Sequence, residues 1–212
     1  MWITLLLSLL INAQENKQVR VAVIDAGFAQ NISKLVNLCG PVKIIKTRST
    51  SEFISHGTSV VGLIDYYKGN KTKVCYILVA HMGNVESFAE SINYANQQNA
   101  DVINISASGY SRDEKEYIAL KDFLFKDKKR LVFISAGNSK NNLNKKCDVF
   151  PACYKLQRIK VVSNKEYYSN RLNKSIVSDK DGSEFKIFGE YTISGTSGST
   201  AVETGRYLND AN

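Results

Sequence analysis

Six short runs rich in β-branched residues, at 19–24, 42–46, 74–79, 102–105, 131–135 and 159–162, punctuate the chain, and amphipathic stretches at 56–67, 85–98 and 112–126 lie between several of them. Continuous apolar runs of this length are what strands buried on both faces look like. Their alternation with helix-period segments predicts an α/β fold with a mostly parallel central sheet and helices on both faces. In such sheets ligands bind beyond the carboxyl ends of the strands. Asp25 and Asn138 stand at or just after two of those ends. Further along, extended runs at 175–178 and 184–188 flank the turn signal Asp179-Lys180-Asp181-Gly182, which predicts a hairpin.

A length of 212 residues, 43% of them hydrophobic, suits one soluble domain. The opening run Trp2-Ile3-Thr4-Leu5-Leu6-Leu7-Ser8-Leu9-Leu10-Ile11 is too short to span a bilayer and has the length of a signal-peptide core. Cleavage is expected after Ala13, although a cationic n-region is missing apart from the start amine. The expected organisation is a signal peptide at 1–13 and one domain at 14–212, secreted or periplasmic and not inserted in a membrane after cleavage. The net charge of +8 comes from scattered basic residues, and the densest run, 126–130, reads as a solvated helix end. No aromatic and basic interleaving suggests base stacking, so nucleic acid is not an expected partner.

Four cysteines, Cys39, Cys75, Cys147 and Cys153, in an exported chain imply two disulfides with three possible connectivities. Cys147 and Cys153 are close enough to staple one loop. No Cys-x-x-Cys spacing occurs, which argues against zinc, and no cofactor is expected.

Four segments carry the chemistry. An apolar strand ends in Asp25-Ala26-Gly27; Ser55-His56-Gly57-Thr58 places a histidine before a Gly/Thr pair; Ala136-Gly137-Asn138 follows another strand; and Gly195-Thr196-Ser197-Gly198 opens the terminal stretch. Together these resemble, in order, the Asp-Thr-Gly-like, His-Gly-Thr, Ala-Gly-Asn and Gly-Thr-Ser motifs of the subtilisin-like serine proteases, or subtilases. The chain order Asp, His, Ser separates this family from other users of the same triad.

The resemblance implies a three-layer subtilisin-like fold and a serine endopeptidase acting on protein or peptide substrates, expected as a monomer. In that reading His56 is the general base for the nucleophile Ser197 and Asp25 orients His56. Asn138 supplies an oxyanion donor. Asn104-Ile105-Ser106-Ala107-Ser108-Gly109 resembles the segment that pairs with extended substrate, making Ser106, Ala107 and Ser108 groove candidates. The same resemblance sets the strands of Cys39 and Cys75 side by side, favouring Cys39 with Cys75 and Cys147 with Cys153. Phe150-Pro151 matches a position where the family often has a cis proline. The other histidine, His81, lacks the motif context and is expected to be structural or to line the groove.

Several departures from the family pattern stand out. Gly198 and the residues after it replace the usual Met-Ala-x-Pro-His, Ser59 replaces a second histidine, and the segment between His56 and the next strand is too short for the common calcium loop, so no metal is expected. Little chain separates Ala13 from Asp25, so a minimal member without an evident propeptide is expected. Two other function classes remain to be weighed. One is a catalytically inactive subtilase-like peptide-binding module. The other, a dinucleotide binder, fails because a Gly-x-Gly-x-x-Gly fingerprint is missing after the first strand.

Overall fold

The alternating runs resolve into seven parallel strands: β1 (Val19–Asp25), β2 (Lys43–Lys46), β3 (Val74–His81), β4 (Val102–Ile105), β5 (Leu131–Ser135), β6 (Ile159–Asn164) and β7 (Ile176–Ser178). Their spatial order is β2-β3-β1-β4-β5-β6-β7. Among the described residues four α-helices accompany them: α1 (Ser51–Tyr67), α2 (Ala89–Gln97), α3 (Glu114–Lys126) and α4 (Gly195–Asp210). This computed structural model describes residues 18–46, 51–81, 88–165, 169–172 and 175–210. The apolar run at 2–11, the expected cleavage after Ala13 and the start of the amphipathic stretch at 85 lie outside them.

Side-chain alternation along each strand splits the core in two. Ala22, Ile24, Ile77, Val79, Ile103 and Ile105 pack with Ile92 of α2 and Leu120 and Phe123 of α3. Val21, Val23, Tyr76, Leu78 and Phe133 pack instead with Val60, Leu63 and Ile64 of α1 and Ala201 and Val202 of α4. Fully burying each such aliphatic or aromatic side chain contributes about 1.5–3 kcal/mol, so both helical layers are held firmly to the sheet. α1 and α4 therefore share one face, and both approach the carboxyl edge where β1, β4 and β5 end side by side.

Local signals account for several boundaries. Asp113 caps α3 by accepting a 2.7 Å bond from the Glu116 N–H, one of the amides a helix start leaves unpaired. At the other end of α3 the Arg158 guanidinium donates to the Leu124 and Asp127 carbonyls. The basic run 126–130 is thus only partly solvated: Arg130 is buried and donates to the Phe123 carbonyl at 3.3 Å, because a helix C-terminus offers carbonyls that need donors, and also to Asn96 Oδ1 at 2.6 Å.

Two expectations are corrected. α1 begins at Ser51 rather than 56, which puts His56 inside the second turn of the helix. The hairpin at 175–188 does not form. β7 pairs in parallel with β6 instead, and the later run makes only a tight turn closed by an Ile187–Tyr191 bridge. The turn residues still serve, since Asp181 Oδ2 accepts the Gly195 N–H at 3.0 Å and so anchors the start of α4.

Disulfides link Cys39 to Cys75 and Cys147 to Cys153. The first ties β3 to the chain entering β2. The Phe150–Pro151 peptide bond is cis.

Candidate active site

Asp25 closes β1 and is 1% exposed. Its Oδ1 accepts the Ala26 N–H at 2.7 Å and lies 2.8 Å from His56 Nδ1, while Oδ2 is buried with no hydrogen-bond partner among the described residues. A carboxylate facing Nδ1 selects the tautomer in which that nitrogen carries the proton. Nε2 is left as the lone-pair nitrogen, on a ring that is 34% exposed. The negative charge of Asp25 raises the imidazole above its usual 6.5, against the opposing effect of burial and with small help from Glu52.

The residues after His56 explain its placement. A Cβ on Gly57 would lie 2.1 Å from the Gly27 carbonyl oxygen, so only glycine lets α1 approach the Asp25 loop this closely. Thr58 then fastens that loop: its hydroxyl accepts the Ala29 N–H at 2.9 Å and donates to the Ile54 carbonyl at 2.6 Å. The His-Gly-Thr sequence is therefore a clamp between β1 and α1.

Ser197 lies in the first turn of α4 and is 8% exposed. Its hydroxyl donates to the Ser106 carbonyl at 3.1 Å; among the described residues it makes no hydrogen bond to His56. Ser106, just beyond β4, sends its own hydroxyl toward Asn104 Oδ1 at 3.0 Å and the Ser197 carbonyl at 3.3 Å. Asn104 in turn donates to Thr204 Oγ1 of α4 at 3.0 Å. Ala107, half-buried, and Ser108, exposed, continue the same segment.

Asn138 follows β5. Its Oδ1 accepts both the backbone N–H of Thr196 at 3.0 Å and the Thr196 hydroxyl at 2.9 Å. Two donors on one oxygen set the amide's orientation, leaving Nδ2 free to face a ligand. Thr196 Oγ1 also accepts the Gly137 N–H at 3.1 Å, so one threonine joins the β5 loop to the serine turn.

The structure thus brings Asp25 to His56, Ser197 to Ser106, and Asn138 to the residue preceding Ser197. His81 is apart from this constellation: it is buried, bonded through Nδ1 to Ser91 Oγ, and edge-on to Phe88. Reading the sequence missed Thr58, Thr196 and Asp181 as supporting residues. Their place inside or beside the motifs was the available signal, since a threonine next to a loop glycine is a ready side-chain anchor.

The departures also gain a reason. A Cβ on Gly198 would lie 1.8 Å from the Asp181 carbonyl oxygen, so the 179–184 turn occupies the space where a larger residue would project. Ser59 is buried, with its hydroxyl donating to the Thr192 carbonyl at 3.3 Å. Among the described residues no group of three or more His, Cys, Asp or Glu side chains is gathered as a metal cage, and no helix is long and apolar enough to cross a membrane.

The family model of the subtilases matches residues 16–185, a span containing Asp25, His56 and Asn138 and ending before Ser197. Among solved structures the chain is similar to a lanthipeptide protease, at 21% identity and a TM-score of 0.63, covering 90% of this chain and 72% of that one. It is similar to the epidermin leader peptide processing serine protease of Staphylococcus aureus at 19% identity and a TM-score of 0.64, with 92% and 65% covered. For the A-subunit of the AB5 toxin from E. coli the identity is 17% and the TM-score 0.71, with 92% and 78% covered. No curated protein sequence matches. The fold is shared with these solved structures, and the match over residues 16–185 establishes that the chain belongs to the subtilase family.

Proposed function

We propose that this subtilase is an active serine endopeptidase that cleaves protein or peptide substrates through Asp25, His56 and Ser197. The observation that carries the reading is the 2.8 Å contact between a buried carboxylate and His56 Nδ1, which leaves Nε2 as the nitrogen able to accept a proton. Rotation of the Ser197 side chain away from the Ser106 carbonyl delivers its proton to Nε2 as Oγ bonds to the substrate carbonyl carbon. The carbonyl electron pair moves onto oxygen, where Asn138 Nδ2 and the Ser197 N–H receive it. His56 passes the proton to the leaving amine, the C–N bond breaks, and water hydrolyses the acyl-enzyme by the same route.

We further infer export, with a signal peptide at 1–13, an acting domain at 14–212 and a monomeric state. Two disulfides support an oxidising compartment.

A second reading, an inactive peptide-binding module, is favoured by one feature: the Ser197 hydroxyl is bonded to Ser106 and not to His56. Digestion of an unfolded protein such as reduced casein by wild type and Ser197→Ala decides between the two. Cleavage lost in the variant supports the enzyme; equal, absent cleavage by both folded proteins supports the module.

A further inference from the structure

The crevice beside Ser197 has a strap across it. Its first wall is the segment from Ser106 to Gly109 beyond β4, whose Ser106 carbonyl lies 3.1 Å from Ser197 Oγ. Its second wall is the segment from Gly137 to Ser139 beyond β5, which carries Asn138. Phe150 pairs with Gly109 through two backbone bonds of 2.8 and 2.9 Å, which fixes the far end of the first wall. Across the top, Tyr110 donates or accepts a 2.9 Å hydrogen bond with Ser139 Oγ, so a phenol from one wall reaches the other.

This arrangement limits what the crevice can hold. An extended substrate pairs its backbone with a strand edge and sends alternate side chains into flanking pockets. The residue whose carbonyl is attacked by Ser197 lies between the two walls, because its carbonyl carbon must reach Ser197 Oγ while its oxygen faces Asn138 Nδ2. Its side chain therefore has to share the gap between the walls with the Tyr110–Ser139 strap. Ala107 and Ser108 add small side chains to the first wall.

We infer that the Tyr110–Ser139 strap makes this subtilase selective for a small residue on the acyl side of the scissile bond. Tyr110 is a specificity-determining residue, acting by occupying the volume a large side chain needs. Ser139 holds it there. The inference rests on the proposed protease activity, and the test below separates the two.

Two peptide substrates identical except for Ala or Phe at the acyl-side position give the readout, with kcat/KM measured for wild type, Tyr110→Ala, Tyr110→Phe and Ser139→Ala. Wild type is expected to favour Ala at least about tenfold, the scale on which a pocket discriminates by size. Tyr110→Ala is expected to raise kcat/KM for the Phe peptide about tenfold or more and so to lower the Ala/Phe ratio. Tyr110→Phe and Ser139→Ala, which break the strap while keeping the ring, are expected to fall between. A wild type that prefers Phe, or an Ala/Phe ratio unmoved in Tyr110→Ala, overturns the proposal. Labelling by a small fluorophosphonate, which does not fill the crevice, is run alongside. A labelled wild type with a flat ratio sinks the strap alone, whereas an unlabelled, folded wild type sinks the protease reading and the strap with it. Tyr110 is 68% exposed, so its replacement does not disturb the core.

Discussion

Thr196 holds Asn138 by its oxygen: the threonine's N–H and hydroxyl both donate to Asn138 Oδ1, at 3.0 and 2.9 Å. The residue before the candidate nucleophile thereby aims the candidate oxyanion donor. Two groups that must act on the same carbonyl are built on one hydrogen-bonded unit, which is the kind of preorganisation that electrostatic catalysis needs.

Replacing Asn138 with Ala is expected to lower kcat by about 10²–10³ with little change in KM, a size already known for removing one such donor in a subtilisin and carried over from it. Thr196→Val keeps the backbone bond and loses the hydroxyl, so a smaller loss of about tenfold, roughly 1.4 kcal/mol, is expected. Steady-state kinetics on a single peptide substrate checks both. A Thr196→Val enzyme with unchanged kcat contradicts the aiming role.

The pH dependence follows from His56. Its charged form is favoured by Asp25 in the fold, so the imidazole titrates above 6.5. General-base action needs the neutral ring, and the rate of serine acylation is therefore expected to rise with pH through an inflection above 6.5. Asp25→Asn removes the charge that raises it and is expected to move the inflection down. Stability has the opposite sign. Because the shift is upward, the contribution of the pair is fully present below 6.5 and is lost as pH rises through the folded value. Urea unfolding of wild type and His56→Gln across this range is expected to show their difference shrinking as pH rises.

Gly198 is expected to resist change. A Cβ there meets the Asp181 carbonyl at 1.8 Å, and the same turn anchors the Gly195 N–H, so the turn cannot retreat without freeing the start of α4. Gly198→Ala is expected to cost about 2–3 kcal/mol, the range for overpacking a closed site, and Gly198→Met more. Thermal unfolding measures it; an unchanged Tm contradicts this account of the departure from the family pattern.

The two disulfides close loops of different length, with sequence separations of 36 and 6. On loop-closure entropy, removing Cys39–Cys75 is expected to cost about 4 kcal/mol and Cys147–Cys153 about 2 kcal/mol. Denaturant unfolding of the paired Cys→Ser variants gives the order, and a larger loss from the shorter loop would overturn it.

How much of this was legible in the sequence depends on how local each signal was. The central strands announced themselves, because β1, β3 and β4 are buried on both faces and need continuous apolar runs. The four motifs likewise stood out by composition. The hairpin failed because β7 pairs with β6, the strand before it, and extends the parallel sheet, whereas the turn signal at 179–182 reports only local backbone preference. The start of α1 was set too late because the helix was begun at the His-Gly-Thr motif, although Phe53 and Ile54 precede Val60 and Val61 by two helical turns. The bonds from Thr196 to Asn138 and from Tyr110 to Ser139 join residues 58 and 29 positions apart, and nothing in either residue's neighbourhood names its partner.

The central claim is that Asp25 and His56 make Ser197 a nucleophile. Intact-mass and peptide-level mass spectrometry after fluorophosphonate treatment tests it most directly. The account predicts one adduct, on Ser197, absent from Ser197→Ala and formed far more slowly in His56→Ala. A folded wild type that gains no mass, or an adduct that persists in Ser197→Ala, contradicts it.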